Sequence, residues 1–176
     1  MNILLFSCLA FAITDLEYSA NFAENPSFEL DANRDGTPDG WRKLAYESAA
    51  RLEWDAAIFR SGSHSLRISE TLHTGAKDTS NWRTCSGRWS ARPRPVRPGS
   101  KYQLQVWVKA EKVTGKAYAH LAWQRGTSWL SEVSTQAVTG TSEWQHLVVT
   151  GTAPQNADSV VISLNLARSH GTAWFD

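Results

Sequence analysis

The sequence predicts an all-β domain in which two antiparallel sheets stack as a β-sandwich, and three observations carry that expectation. Apolar residues recur at every second position in several segments, which is the period of a half-buried strand. These segments are short and separated by clusters of Gly, Pro, Ser and Thr at Arg97-Pro98-Gly99-Ser100, Gly126-Thr127-Ser128, Gly140-Thr141-Ser142, Ala153-Pro154 and His170-Gly171. Nine tryptophans but a single methionine stand among 176 residues, a bias toward wide, rigid side chains. No internal repeat or second domain shows along the chain, and one domain of this length can bury a substantial core.

In chain order, Ile3 to Ile13 is an apolar run too short to cross a bilayer as a helix. It reads as the h-region of an export signal, with residues 1–20 as leader and 21–176 as the domain. Tyr46 to Phe59 contains good helix formers, yet Arg51 to Asp55 alternates Leu52 and Trp54 against three charges and is read as a strand. Ser65 to Ser69 follows as a further strand. In Tyr102 to Ala110, Tyr102, Leu104, Val106 and Val108 face inward, and Gln103, Gln105, Trp107 and Lys109 outward. Ala117 to Gln124 turns Ala117, Ala119, Leu121 and Trp123 inward, leaving Tyr118, His120 and Gln124 outside. Trp144 to Thr152, Ser159 to Ala167 and Thr172 to Phe175 complete the set, with Ser163 and Asn165 outward on theirs.

Composition excludes several classes of protein. Hydrophobic residues make up 41 %, too many for disorder, and a net charge of +1 gives no global attraction to nucleic acid or acidic lipid. Two cysteines, one of them Cys8 in the leader, do not make a disulfide scaffold. Arg83, Arg88, Arg92, Arg94, Arg97, Lys101 and Lys109 fall between residues 79 and 110 without an acidic residue. Such a stretch is either a solvated loop or a site for uronate or sulfate groups.

The densest oxygen cluster is Asp31-Ala-Asn-Arg-Asp-Gly-Thr-Pro-Asp39. Its D-x-N-x-D-G spacing suits calcium, because Asp31, Asn33 and Asp35 can converge where Gly36 allows a sharp turn, with Asp39 as a further carboxylate. Arg42 stands where an EF-hand would place its bidentate glutamate, so this is not an EF-hand. The same residues also favour an ordinary turn without metal, and both readings stay open.

Asn25-Pro-Ser-Phe-Glu29, Pro38-Asp-Gly-Trp41, Ser61-Gly-Ser-His-Ser-Leu-Arg-Ile68, Val96-Arg-Pro-Gly-Ser-Lys-Tyr102, Trp107-Val-Lys-Ala110 and Gly171-Thr-Ala-Trp-Phe-Asp176 stand in this order. Together they resemble the bacterial carbohydrate-binding modules of the xylan- and cellulose-binding group attached to glycoside hydrolases. The resemblance implies a jelly roll and a structural calcium between the first and last strands, toward which Glu29 and Asp176 would contribute. Members of that group continue beyond the position of Asp176, so the last strand is expected to be incomplete and the chain a fragment of a longer protein.

A sugar-binding surface needs aromatic platforms beside amides and charged groups, because sugars present C–H faces and hydroxyl rims. The residues expected to form it are Trp107 and Tyr118 as platforms, with Gln103, Gln105, His120 and Gln124 as hydrogen-bonding groups. Trp82 and Trp129, in polar surroundings, are candidate platforms at an edge, whereas Trp41, Trp54, Trp89, Trp123, Trp144 and Trp174 are expected in the core or closing loops. A merely solvated face is the alternative. No H-E-x-x-H, nucleophile elbow or phosphate loop occurs, and no carboxylate pair is marked for glycoside hydrolysis. The expected function is therefore non-catalytic binding of a polysaccharide or oligosaccharide, outside the cell or at its surface. The expected partners are a glycan and a downstream catalytic domain, with no nucleic acid and no membrane span. An adhesion or spacer sandwich and a polysaccharide lyase or hydrolase are the alternatives.

Overall fold

The computed structural model describes residues 21–45, 47–73, 81 and 85–176. The proposed leader and Trp82 lie outside the described residues. The described chain forms β1 (Trp41–Leu44), β2 (Arg51–Asp55), β3 (Ser65–Ser69), β4 (Ser86–Ala91), β5 (Arg94–Pro95), β6 (Lys101–Arg125), β7 (Ser128–Ser134), β8 (Val138–Thr152), β9 (Ser159–Ala167) and β10 (Thr172–Phe175). No helix occurs among the described residues.

Every pairing is antiparallel, and β6 organises them. Its first half lies between β8 and β10, and β3 and β2 extend that layer beyond β10. Its second half lies between β7 and β9, with β4 and β1 beyond β9. One 25-residue strand thus belongs to both layers of the jelly roll. Tyr102–Ala110 and Ala117–Gln124, expected as separate strands, are its two halves. The connection stays extended because β8 follows it through register shifts opposite Ala110, Val113 and Ala117. Gly115 fits there because a Cβ would fall 2.1 Å from the carbonyl oxygen of Ala167.

The expected break at Gly140–Ser142 is likewise no break. Gly140 adopts φ +72° inside β8, opposite Val113, and absorbs an irregularity of the ladder. The alternation read for β6 holds: Leu104, Val106, Val108, Ala117, Ala119, Leu121 and Trp123 are buried between the layers. Residues 51–55 form the expected strand rather than a helix.

The layers touch closely where β4 crosses β2 and β3. A Cβ on Gly87 would lie 2.5 Å from Cβ of Ala50 and 3.2 Å from Cγ2 of Ile68, so only glycine lets the sheets approach so far. Trp41, Trp89, Trp123 and Trp174 are buried as expected, and Trp54 and Trp144 are half-buried. Two of the buried indoles have paired N–H groups: Trp89 Nε1 donates to the Arg67 carbonyl at 3.1 Å, and Trp174 Nε1 to Asp55 Oδ2 at 2.8 Å. Trp41 closes the acidic loop onto the sandwich, its ring edge-on to Phe28 at 5.1 Å and its Nε1 donating to the Asn25 carbonyl at 3.2 Å.

Candidate functional site

The outer face of the layer β1-β4-β9-β6-β7 is hollowed into an open cleft of about 560 Å³. Its shape follows from side-chain size across the ladder. Arg42 on β1 stands opposite Ser90 on β4, which pairs with Ser163 on β9, which pairs with His120 on β6. In the next outward row Leu44, Arg88, Asn165 and Tyr118 stand in line. On the other side of the serine row, Val161 faces Ala122, which faces Glu132 on β7. Ser90, Ser163 and Ala122 keep the middle low while Arg42, Arg88, Tyr118 and Glu132 stand around them, so the middle of the sheet forms a trough. Trp129, 60 % exposed, and Gln124 line its far end.

Polarity inside the trough is concentrated. His120 is only 5 % exposed, and its Nδ1 has no hydrogen-bond partner among the described residues. Glu132 Oε2 lies 3.9 Å from it, too far for a hydrogen bond. Burial pushes the His120 pKa below its ordinary 6.5, Glu132 opposes this and Arg88 adds to it, so the imidazole is neutral at pH 7. Burial also raises the Tyr118 phenol, reinforced by Glu132. Asn165 Nδ2 is spent on the Ser163 carbonyl at 3.1 Å, which leaves its Oδ1 as the free end of the amide.

The residues expected to form one sugar-binding face fall on two. Tyr118, His120, Gln124 and Trp129 line the cleft. Gln103, Gln105 and Trp107 stand on the first half of β6, in the other layer, and do not join them. The cause is the continuity of β6: inward and outward positions were correctly separated, but the strand passes from one layer to the other between the two groups. On that second face the Arg60 guanidinium lies 3.8 Å from the Trp107 ring centroid, and the His146 ring stacks near it at 4.9 Å. Gln105 Nε2 donates to Gln103 Oε1 at 2.5 Å. Conversely, Arg42 and Glu132 enter the cleft without having been singled out, and Arg88, named from the sequence only as one of a basic stretch, joins them. The alternation Gly87-Arg-Trp-Ser-Ala91 was the available signal for Arg88.

The acidic loop is closed by its own amides. Asp31 accepts from the N–H groups of Asp35 at 3.2 Å and Gly36 at 2.9 Å; Asp35 accepts from Thr37 N–H at 2.8 Å and Asn33 Nδ2 at 2.9 Å; Asp39 accepts from Ala32 N–H at 3.2 Å. Glu29 and Asp176 both clamp the loop before β3. Glu29 accepts from the N–H groups of Ser63 at 3.0 Å and His64 at 3.2 Å and from the Ser63 hydroxyl. Asp176 accepts from the N–H groups of Arg60 at 2.8 Å and Ser61 at 3.1 Å. Among the described residues no three His, Cys, Asp or Glu side chains gather as a metal cluster.

Two stacked antiparallel sheets with a polar, aromatic-flanked trough on one outer face define a binding module of jelly-roll type. A family model described as "Carbohydrate binding domain" matches residues 20–171, and the chain belongs to that family. A family 16 carbohydrate-binding module superposes with a TM-score of 0.58 at 16 % identity, covering 89 % of this chain and 96 % of that one. A Stig cyclase from Fischerella sp. TAU superposes with a TM-score of 0.59 at 14 % identity, covering 88 % and 92 %. At these identities the likeness is one of fold. The tRNA nuclease WapA of Bacillus subtilis (strain 168) is 23 % identical over 171 residues, 92 % of this chain. This chain spans 7 % of the nuclease's length.

Proposed function

We propose that the protein binds a polysaccharide non-catalytically in the cleft on the β1-β4-β9-β6-β7 face. The observation that carries this reading is the trough itself: about 560 Å³, open along one sheet, with Trp129 and Tyr118 toward opposite ends and polar groups between them. Aromatic faces stack on sugar C–H faces, while the buried His120 nitrogen, the Asn165 oxygen and the Gln124 amide suit hydroxyls. By this reading Tyr118, His120, Gln124 and Trp129 act in the cleft. Trp107, Gln103 and Gln105 would serve only as a separate, weaker surface.

Family membership supports the ligand class, and the apolar Ile3–Ile13 run supports a place outside the cell or at its surface. There the module would hold an attached glycoside hydrolase or surface protein against its glycan by raising local concentration. Calcium is a separate proposal, supported by the spacing of Asp31, Asn33 and Asp35, with Glu29 and Asp176 as a second candidate pair.

Affinity electrophoresis against a panel of neutral and acidic polysaccharides tests the reading. Retardation by at least one polymer, abolished in Tyr118→Ala, is the expected result. No retardation by any polymer would return the domain to the role of a spacer.

A further inference from the structure

We propose that Glu132 holds His120 as a hydrogen-bond acceptor, and that the cleft therefore selects glycans with free hydroxyls; this rests on the polysaccharide reading above. The same chain with those hydroxyls etherified or esterified would be turned away. The two side chains come together through the ladder. Glu132 on β7 stands opposite Ala122, two residues along β6 from His120 and on the same face of the sheet. Its Oε2 lies 3.9 Å from His120 Nδ1. That nitrogen has no hydrogen-bond partner among the described residues, and the residue is only 5 % exposed.

At 3.9 Å the contact is Coulombic rather than a hydrogen bond. It nevertheless decides which ring nitrogen carries the proton. A lone pair on Nδ1 would face the carboxylate and be repelled by it, whereas an N–H there is attracted. The proton therefore sits on Nδ1 and the lone pair on Nε2. Burial, the largest influence on His120, lowers its pKa against the opposing charge of Glu132 and keeps the ring neutral at pH 7. Neutrality preserves that lone pair, since an imidazolium would donate from both nitrogens.

The neighbouring groups repeat this polarity. Asn165 lines the same trough with its amide oxygen free, because Nδ2 is bonded to the Ser163 carbonyl at 3.1 Å. Glu132 itself only accepts while ionised. Ser163, opposite His120 on β9, carries a hydroxyl that serves either way. A sugar hydroxyl can donate to such a set, and an ether or ester oxygen cannot. Substitution would set acceptor against acceptor and leave the imidazole nitrogen unmet, which is the costlier side of hydrogen bonding. Tyr118 and Trp129 do not make this distinction, because stacking reads C–H faces rather than hydroxyls. The substitution pattern of the glycan is thus read at the buried floor.

The test uses the full chain, titration calorimetry and three soluble polymers: xylan, mixed-linkage β-glucan and β-galactan. Each is compared unsubstituted, O-methylated and O-hydroxyethylated to the same degree. Methylation removes the donor, while a hydroxyethyl group is larger yet ends in a hydroxyl. Methylation is expected to weaken binding about tenfold or more, and hydroxyethylation less. Equal affinity for parent and methylated polymer would overturn the selection and leave the polysaccharide reading standing. Hydroxyethylation as damaging as methylation would overturn it in favour of exclusion by size. Binding of no polymer would overturn both. The part played by Glu132 is read separately, by nitrogen NMR of isotope-labelled histidine at pH 7, with the His120 signals assigned by their absence from His120→Gln. The proton is expected on Nδ1 in the native chain and on Nε2 in Glu132→Gln, a variant that should also bind parent and methylated polymer with more nearly equal affinity. A native His120 protonated on Nε2, or a tautomer that Glu132→Gln leaves unchanged, would overturn the positioning role.

Discussion

The guanidinium of Arg60 lies 3.8 Å from the centroid of the Trp107 indole, on the layer opposite the cleft. A cation over an aromatic face is a stabilising contact on the order of 1 kcal/mol, and here the protein supplies its own occupant for the ring. Trp107→Ala is therefore expected to lower stability by about 2 kcal/mol, from lost packing of a half-buried indole. It should change glycan affinity less than Tyr118→Ala does. Urea denaturation alongside calorimetry checks the split; an affinity loss from Trp107→Ala matching that from Tyr118→Ala would place the binding surface on the other layer.

Trp129 gives the opposite pattern. It is 60 % exposed at the end of the trough, so removing its ring costs little folding energy. Trp129→Ala should leave the thermal midpoint nearly unchanged and weaken polysaccharide binding roughly tenfold, the scale of one lost aromatic stacking contact. Unaltered affinity would remove this residue from the site.

Acid stability should reflect the hydrogen-bonded carboxylates Glu29, Asp55, Glu70 and Asp158 and one imidazole. The hydrogen bond from His170 and the Gly171 N–H hold Glu70 below its ordinary 4.5. Burial pushes Glu29 and Asp55 upward, but hydrogen bonds outweigh it and leave both lowered. A carboxyl with a depressed folded pKa contributes stability that is present above its unfolded value and lost as pH falls through the folded one. His120 is depressed as well, so its neutral form favours the fold, and that contribution starts to fall below about 6.5. The urea midpoint should thus decline in two stages, gently below about pH 6.5 and steeply below about pH 4.5. Glu70→Gln should flatten part of the second stage and His120→Gln the first. A midpoint constant from pH 7 to pH 4 would contradict the assignment.

Calcium has a direct thermal test. An ion bound only by the folded chain raises the melting temperature in proportion to the logarithm of its concentration once the site is saturated. The proposal expects stabilisation by added calcium, reversal by chelator, and loss of both effects in Asp31→Ala. A melting temperature indifferent to both additions would leave the loop held by its amides alone.

Much of the fold was legible because alternation is local. Leu104, Val106 and Val108 face the core for the same reason that Gln103 and Gln105 face water: successive Cβ atoms point to opposite sides of a strand. The sequence does not state which strands become neighbours, and that decides the site. Nothing in Glu111-Lys-Val-Thr-Gly-Lys116 announces that the backbone continues without a turn, since its accommodation depends on Gly115 packing against Ala167 on another strand. Trp107 and Tyr118 were accordingly grouped although they lie in different layers. Arg42 was overlooked, and Arg88 was read only as one member of a basic stretch, for the converse reason. Each sits in a short strand with little apolar character of its own, and β1 and β4 become part of a trough only through pairing with one another and with β9.

The passage of β6 through both layers also has a mechanical meaning. The backbone under Tyr118 and His120 is the same covalent thread that, a few residues earlier, is laced between β8 and β10. Tension applied at the trough would run along that thread and load many interstrand bonds side by side instead of opening them one after another. Grip on one side of the domain is thereby anchored in the other, and the two halves resist a steady pull as a unit.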